Sequence, residues 1–81
     1  MRYLIYCKNS QEAELVVQLV EQYYAPHYQV YERPKGLKVE LSNEYDNAVL
    51  ISCPTVTLLR ARWNVLKFLK KKGVVATAKE V

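Results

Sequence analysis

The segment from residue 57 to residue 72 constrains the fold more than any other part of the chain, because apolar side chains cover most of its surface as a helix. With about 100° of rotation per residue, its apolar positions span an arc of roughly 220°. A helix that lies on a single sheet typically needs an apolar stripe of just over ~100°. The segment therefore predicts a helix with a second apolar neighbour, and a protein that works as part of an assembly.

The N-terminal part of the chain predicts a strand followed by a helix. Residues 2–8 are rich in Tyr, Leu and Ile, which favour strands. Asn9 supplies a capping side chain and Glu12 stands three positions later, a pattern typical of a helix start. A helix over 11–24 follows, with an apolar arc of roughly 200° by the same geometry. It ends before Pro26, because the residue before a proline is pushed out of helical angles.

The middle of the chain predicts strands. Residues 28–32 and 37–42 are strand-like, with an interruption at residues 34–36, and the second of them alternates strictly between apolar and polar side chains. Residues 48–53 form a continuous apolar run, which is typical of a buried strand and completes a hairpin with the strand before it. After the long second helix, Gly73 is the expected C-cap.

The element order β-α-β-β-α predicts an α+β fold, in which an antiparallel-containing sheet of three strands carries both helices on one face. We expect one domain over residues 1–81, with its core in 2–72. Residues 73–81 are then a frayed C-terminal tail or, over 74–77, a weak extra strand. A small sheet has two open edges that invite pairing, so we expect a homodimer made by joining two sheets edge to edge.

Positive charge is concentrated in the C-terminal half of the chain. The formal net charge is +4, and residues 47–81 hold seven Lys or Arg against one acidic residue. This asymmetry allows contact with phosphate or with an acidic partner, although lysines in a last helical turn also suit the helix dipole. The apolar run after Arg2 is too short for a signal peptide or a membrane span, so we expect a cytoplasmic protein without membrane contact.

Residue types that carry chemistry are sparse. The chain has one histidine, His27, and no glycine-rich phosphate loop or metalloprotease motif. Cys7 and Cys53 lie in apolar strand-like runs without zinc-site spacing, so we expect buried free thiols. A Cys7–His27 dyad is conceivable, but a lone histidine just after a proline is more typical of a surface position. We therefore expect a non-enzyme with no catalytic residue, metal or cofactor.

Four polar residues of the second helix follow the spacing i, i+4, i+7, i+11 and share one narrow ridge: Arg60, Asn64, Lys67 and Lys71. A phosphate backbone could bind along such a ridge. The ridge is equally consistent with the solvent-exposed side that any amphipathic helix has. Arg62 instead falls inside the apolar arc, where an unpaired buried guanidinium would be costly. It either extends past its neighbours to water or meets a carboxylate of a partner chain.

Residues 59–66, LRARWNVL, begin this helix soon after a strand. They resemble the leucine-arginine-alanine-x-x-asparagine signature of the small dimerising subunit of the KEOPS (EKC) tRNA-modification complex, and the element order over 2–72 is similar. The resemblance implies a homodimer whose helices bind the N-terminal helices of the threonylcarbamoyl transferase subunit. It also implies a scaffolding role in threonylcarbamoyladenosine synthesis on tRNA, with tRNA contact and without catalysis.

On this interpretation, the partner-facing surface consists of five apolar side chains and one cation. We expect these residues to be Leu15, Leu19, Leu58, Arg62, Val65 and Leu69. The basic ridge would then contact tRNA. A dimeric scaffold for some other partner fits the same physical pattern.

A different class of function depends on the C-terminal end. If residues 74–77 form a fourth strand, the element order becomes the ferredoxin-like one that single-stranded RNA-binding domains use. Tyr6, Tyr28 and Tyr31 would then be candidate platforms for base stacking. Against this alternative, residues 48–53 lack the glycine, basic and aromatic residues of the usual RNA-stacking strand.

Overall fold

The computed structural model describes residues 2–24, 36–53 and 57–81, and the side chains of all of these except residues 57–61. The predicted strand over 28–32, the proline at position 26 and His27 lie outside the described residues. The elements, in chain order, are β1 (Arg2–Tyr6), α1 (Ser10–Tyr23), β2 (Lys38–Leu41), β3 (Ala48–Ser52), α2 (Thr57–Lys71) and β4 (Thr77–Glu80). Over these residues the fold is therefore α+β, with two helices and a four-stranded sheet.

The sheet is antiparallel throughout and has the strand order β2-β3-β1-β4. The predicted three-stranded sheet is wrong, because β4 pairs with β1 along the edge that three strands would leave open. Tyr3 lies opposite Glu80, and Tyr6 lies opposite Thr77. The hydrogen-bonding groups on that edge of β1 thus find partners within the chain. The resulting order, β-α-β-β-α-β, is the ferredoxin-like one.

Both helices cover the same face of this sheet. Tyr3 and Ile5 of β1 and Val49 and Ile51 of β3 point toward the helices and are fully buried. They meet residues of both helices in one core: Ala13, Val16 and Val20 from α1, and Val65, Phe68 and Leu69 from α2. Burying one such aliphatic side chain is worth about 1.5–3 kcal/mol, so this single core is the main source of stability.

The start of α1 follows the predicted capping pattern. Asn9 is the N-cap, and its Oδ1 accepts a hydrogen bond from the backbone N–H of Glu12 at 2.8 Å. The Glu12 carboxylate reaches back and accepts from the backbone N–H of Lys8 at 3.0 Å. Two amides that the helix cannot satisfy are thus bound by side chains, which fixes where α1 begins.

The end of α2 is a Schellman motif at Gly73, as the sequence predicts for its C-cap. Gly73 has φ of +86°, and its N–H donates to the carbonyl of Lys70 at 3.1 Å. The N–H of Val74 donates to the carbonyl of Leu69 at 2.9 Å, and both of these side chains are buried. This turn sends the chain from the end of α2 toward β4.

We predict that Gly73→Ala lowers the free energy of unfolding by about 1–2 kcal/mol, because an L side chain at this positive φ is strained. No atom lies within 4 Å of the position that the added Cβ would take, so the cost comes from the backbone conformation and not from a clash. Urea titration measures the change. Gly73→Asn is the matched control and should cost less, since asparagine tolerates the left-handed region better. Equal losses for both variants would contradict this explanation.

Candidate protein-binding surface

The structure corrects two of the expected partner-facing residues. Val65 and Leu69 are fully buried in the core between α2, α1 and the sheet, so neither is available to another protein. The breadth of the apolar arc explains the error, since periodicity does not show which part of the arc faces the sheet. The side chain of Leu58 lies outside the described residues.

The expected residues on α1 are accessible to different degrees. Leu15 is 45% exposed, and Leu19 is half-buried at the margin of the core. One turn further along, the ring of Tyr23 packs against the ring of Phe68 of α2, with centroids 5.2 Å apart. Helical spacing places Leu19 next to Tyr23 along α1, with Leu15 one turn earlier and closer to solvent.

Trp63 is a large exposed side chain on the described part of α2. It is 63% exposed, although it belongs to the apolar arc of the helix. A shallow groove of about 290 Å³ lies beside it, and Leu66, Val74, Val75 and Ala76 supply its apolar lining. The lysines at positions 67 and 70 complete the groove. An apolar groove with cations beside it suits a partner that carries an apolar anchor and negative charge.

Sequence reasoning included Trp63 in the apolar arc but did not select it for the partner surface. Its position at one end of that arc could have indicated exposure, because residues at the margin of an apolar arc lie farthest from the core. Nothing in the sequence indicated that residues 74–76 line the other side of the groove, because they lie beside α2 only as a result of the turn at Gly73. Val75 is 82% exposed there, the highest exposure among the large apolar side chains of the described residues.

Arg62 lies between the core and this groove. It is half-buried, and its guanidinium carbon is 5.9 Å from the centroid of the Trp63 ring, within cation–π range. Its charge also acts on Tyr3, whose hydroxyl is buried without a hydrogen-bond partner among the described residues. Burial and the neighbouring Tyr24 raise the pKa of Tyr3, and Arg62 opposes that shift. Arg62 is thus near both the exposed Trp63 ring and the buried Tyr3 hydroxyl.

The predicted basic ridge lies on the exposed side of α2. Asn64, Lys67 and Lys71 are all exposed, whereas the side chain of Arg60 lies outside the described residues. Lys72 is placed differently, because its ammonium group lies 5.6 Å from the centroid of the Phe68 ring. The ridge and the groove share Lys67 and therefore form one continuous outer surface of α2.

The sheet face opposite the helices has its own depression, of about 190 Å³. Leu4 and Leu50, from the two central strands, belong to its lining, with Arg2, Ser42, Asn43, Glu44 and Val81. Nearby, the rings of Tyr6 and Tyr45 meet edge to face, with centroids 5.7 Å apart. Of the three tyrosines predicted as stacking platforms, Tyr6 is therefore on this face, and Tyr28 and Tyr31 lie outside the described residues.

Both cysteines are free and buried, as the sequence predicts. The Cys7 thiol donates to the carbonyl of Ile5 at 3.8 Å. Burial, with a smaller contribution from the charge of Glu12, raises the pKa of Cys7 to about 11. The thiol is therefore protonated at neutral pH, which makes it a weak nucleophile. Within the described ranges, no group of three or more His, Cys, Asp or Glu side chains is placed to hold a metal ion.

Neither of the two helices, over the residues that the structure describes, has the length and apolar character needed to cross a bilayer. Comparisons of the chain with protein-family models, with curated proteins and with solved structures found no match.

The raised pKa of Cys7 predicts a loss of stability at alkaline pH. An unfolded cysteine ionises near pH 9, whereas the folded thiol keeps its proton to about pH 11. The free energy of unfolding should therefore fall as the pH rises through this window, by about 2 kcal/mol from this group. Denaturant titrations from pH 8 to pH 11 measure it. Cys7→Ala should show a shallower decline, and parallel declines in the two proteins would refute the assignment.

Proposed function

We propose that this protein is a non-catalytic scaffold subunit that binds a larger protein partner through the outer surfaces of its helices. The observation that carries the proposal is the placement of Trp63, an exposed tryptophan beside an apolar groove on a basic helix. Tryptophan is enriched among the residues that dominate binding energy in protein interfaces. Covering a large, exposed tryptophan side chain with a partner buries much apolar surface, which favours binding.

The resemblance of residues 59–66 suggests the identity of the partner. Those residues lie in α2, and within them Trp63 and Asn64 are exposed while Val65 is buried. The proposed partner is the threonylcarbamoyl transferase subunit of the KEOPS complex. It would contact Leu15 and Leu19 on α1 and the Trp63 groove on α2, and Arg62 would supply a cation for one of its carboxylates.

Assistance in tRNA binding is the second part of the proposal. Asn64, Lys67 and Lys71 present an amide and two cations along one exposed side of α2. Cations spaced along a line neutralise successive phosphates, and their affinity for nucleic acid decreases as salt rises. The excess of positive charge in residues 47–81 adds attraction over a longer range.

Homodimerisation is the third part. Among the described strands, β2 and β4 are the outermost, so the expected pairing of two sheets would involve one of these two strands. Both strands are four residues long and carry charged side chains, which weakens edge pairing but leaves it possible.

Calorimetric titration with the transferase subunit from the same organism tests the partner. We predict one-to-one binding, and a loss of at least about tenfold in affinity for Trp63→Glu, because a buried unpaired carboxylate opposes the apolar contact. Tyr45→Glu is the matched control, since Tyr45 is an exposed aromatic residue close to the opposite face of the sheet. Unchanged affinity for Trp63→Glu would remove the groove from the interface, and no binding by the wild type would remove the KEOPS assignment.

Single-stranded RNA binding on the sheet face opposite the helices is the second candidate function. The fourth strand favours it, because a four-stranded antiparallel sheet in this order is the platform that such domains use. Tyr6 and Tyr45 supply aromatic rings on that side of the molecule. However, the two rings contact each other edge to face, so a stacked base would have to separate them.

Oligonucleotide binding distinguishes the two nucleic-acid surfaces. For the tRNA proposal, we predict that Lys67→Glu with Lys71→Glu weakens tRNA binding and flattens its salt dependence, while Tyr6→Ala with Tyr45→Ala leaves both unchanged. The sheet-face alternative requires the reverse pattern with a single-stranded RNA. Fluorescence anisotropy over a series of salt concentrations measures both, and equal affinities for all variants would leave neither surface with this function.

A further inference from the structure

A loop of the chain lies over part of the sheet face opposite the helices. Leu4 and Ala48 point to this face, because they alternate along β1 and β3 with residues that face the helices, and yet both are buried. The loop over residues 42–47 joins β2 to β3, and the ring of its Tyr45 contacts the ring of Tyr6 on this face. Tyr6 lies opposite Ala48 in the sheet, so Tyr45 lies over the same end of the face.

Hydrogen bonds hold both ends of this loop. At its start, the Oγ of Ser42 accepts from the backbone N–H groups of Glu44 at 3.1 Å and Tyr45 at 3.3 Å. At its end, the carbonyl of Asn47 accepts from the N–H of Cys7 at 2.7 Å, and the side-chain amide of Asn47 donates to the carbonyl of Cys7 at 2.9 Å. The Tyr45 side chain is 45% exposed and is held against the face by the ring contact. The ring can therefore leave the sheet while both ends of the loop stay in place.

The sheet face and the loop carry opposite charges. Three cations and one carboxylate point to this face from the described strands: Arg2, Lys38, Lys79 and Glu40. The loop contains two carboxylates and no cation, and its Glu44 and Asp46 stand on either side of Tyr45 in the sequence. Glu44 and Arg2 line the same depression of about 190 Å³. The net positive charge of the face thus attracts the loop.

An aromatic ring between two negative charges has the chemistry of a short single-stranded nucleic acid, in which bases alternate with phosphates. Sheet-face RNA sites stack bases on aromatic side chains and hold the phosphates with cations. In this chain, Tyr45 contacts the ring of Tyr6, where a base would stack. Glu44 lies at the depression that Arg2 also lines, where a phosphate would bind. The loop therefore offers the face the same two kinds of group that an RNA strand would offer.

We propose that the loop over residues 42–47 is an autoinhibitory segment, which occupies the sheet-face site for single-stranded RNA with Tyr45 in the place of a base. The inference rests on the second candidate function above and adds its regulation. RNA binds when Tyr45 leaves Tyr6, so the closed loop lowers the apparent affinity by the fraction of molecules in which it is closed. An edge-to-face ring pair of ordinary strength corresponds to a loss of about three- to tenfold.

Fluorescence anisotropy with a labelled single-stranded oligouridylate tests the proposal. The chain used also carries Lys67→Glu and Lys71→Glu, so that the basic ridge of α2 does not contribute to binding. We expect Tyr45→Ser in this chain to bind the RNA about three- to tenfold more tightly, because the competing ring is gone. Adding Tyr6→Ala should remove the gain, since the stacking platform is then lost. Circular dichroism checks that each variant stays folded.

Glu44→Gln is a second variant, and it keeps the ring contact. It should also tighten RNA binding, because a carboxylate beside Arg2 competes with phosphate for the same cation. Glu14→Gln is the matched control, since it removes the same charge from the exposed side of α1, on the other face of the sheet. Its effect on RNA binding should be smaller, and equal gains from the two variants would overturn the competition at Arg2.

The results separate the loop from the site that it covers. Equal RNA affinity with and without Tyr45→Ser, lost in Tyr6→Ala, would keep the sheet face as an RNA site and overturn the inhibitory role of the loop. Weaker binding by Tyr45→Ser would make Tyr45 a part of the stacking platform and overturn that role as well. Absence of RNA binding in every variant would remove the sheet-face function together with the loop's role in it.

Discussion

Pairing of β1 on both of its edges is the interaction on which the rest of the structure depends. β3 binds one edge and β4 the other, so the central strand has neighbours on both sides. Its inward side chains, Tyr3 and Ile5, lie fully buried beneath the helices. Because β4 follows α2 in the chain, this pairing also requires α2 to end where the chain can turn back to the sheet. Among the described strands, β2 and β4 are consequently the two outermost ones.

The turn at Gly73 connects this constraint to the surface of α2. It places residues 74–76 beside the helix, so Trp63 has an apolar neighbour along one side and solvent along the other. The helix consequently has three distinct sides. Val65 lies on the buried side, Trp63 lies at the groove, and Lys71 lies on the exposed ridge. The side of α2 that holds the fold together therefore differs from the sides that are accessible to a binding partner.

Features that depend on neighbours in the chain could be predicted from the sequence. The N-cap at Asn9 and the C-cap at Gly73 are local backbone arrangements. Asparagine and glycine are typical of these two positions, so the sequence alone indicates both caps. The fourth strand was misplaced, since the sequence suggested a weak strand over 74–77 whereas the structure has β4 at Thr77–Glu80. The four residues Thr-Ala-Lys-Glu carry little strand preference of their own. Val65 was misplaced for a related reason. A broad apolar arc does not show which of its residues face the core. The rotation of α2 about its own axis is set by its packing against α1 and the sheet.

By itself, the sequence determined the kinds of element, their order up to α2, the caps, the breadth of both apolar arcs and the opposite charges at positions 38 and 40 of one strand. Only the tertiary structure decided that β4 pairs with the second edge of β1 and that Trp63 and not Val65 faces outward. The physical reason is one of range. Caps and periodicity arise from hydrogen bonds and side chains a few residues apart, whereas strand pairing and helix rotation arise from contacts between residues far apart in the chain.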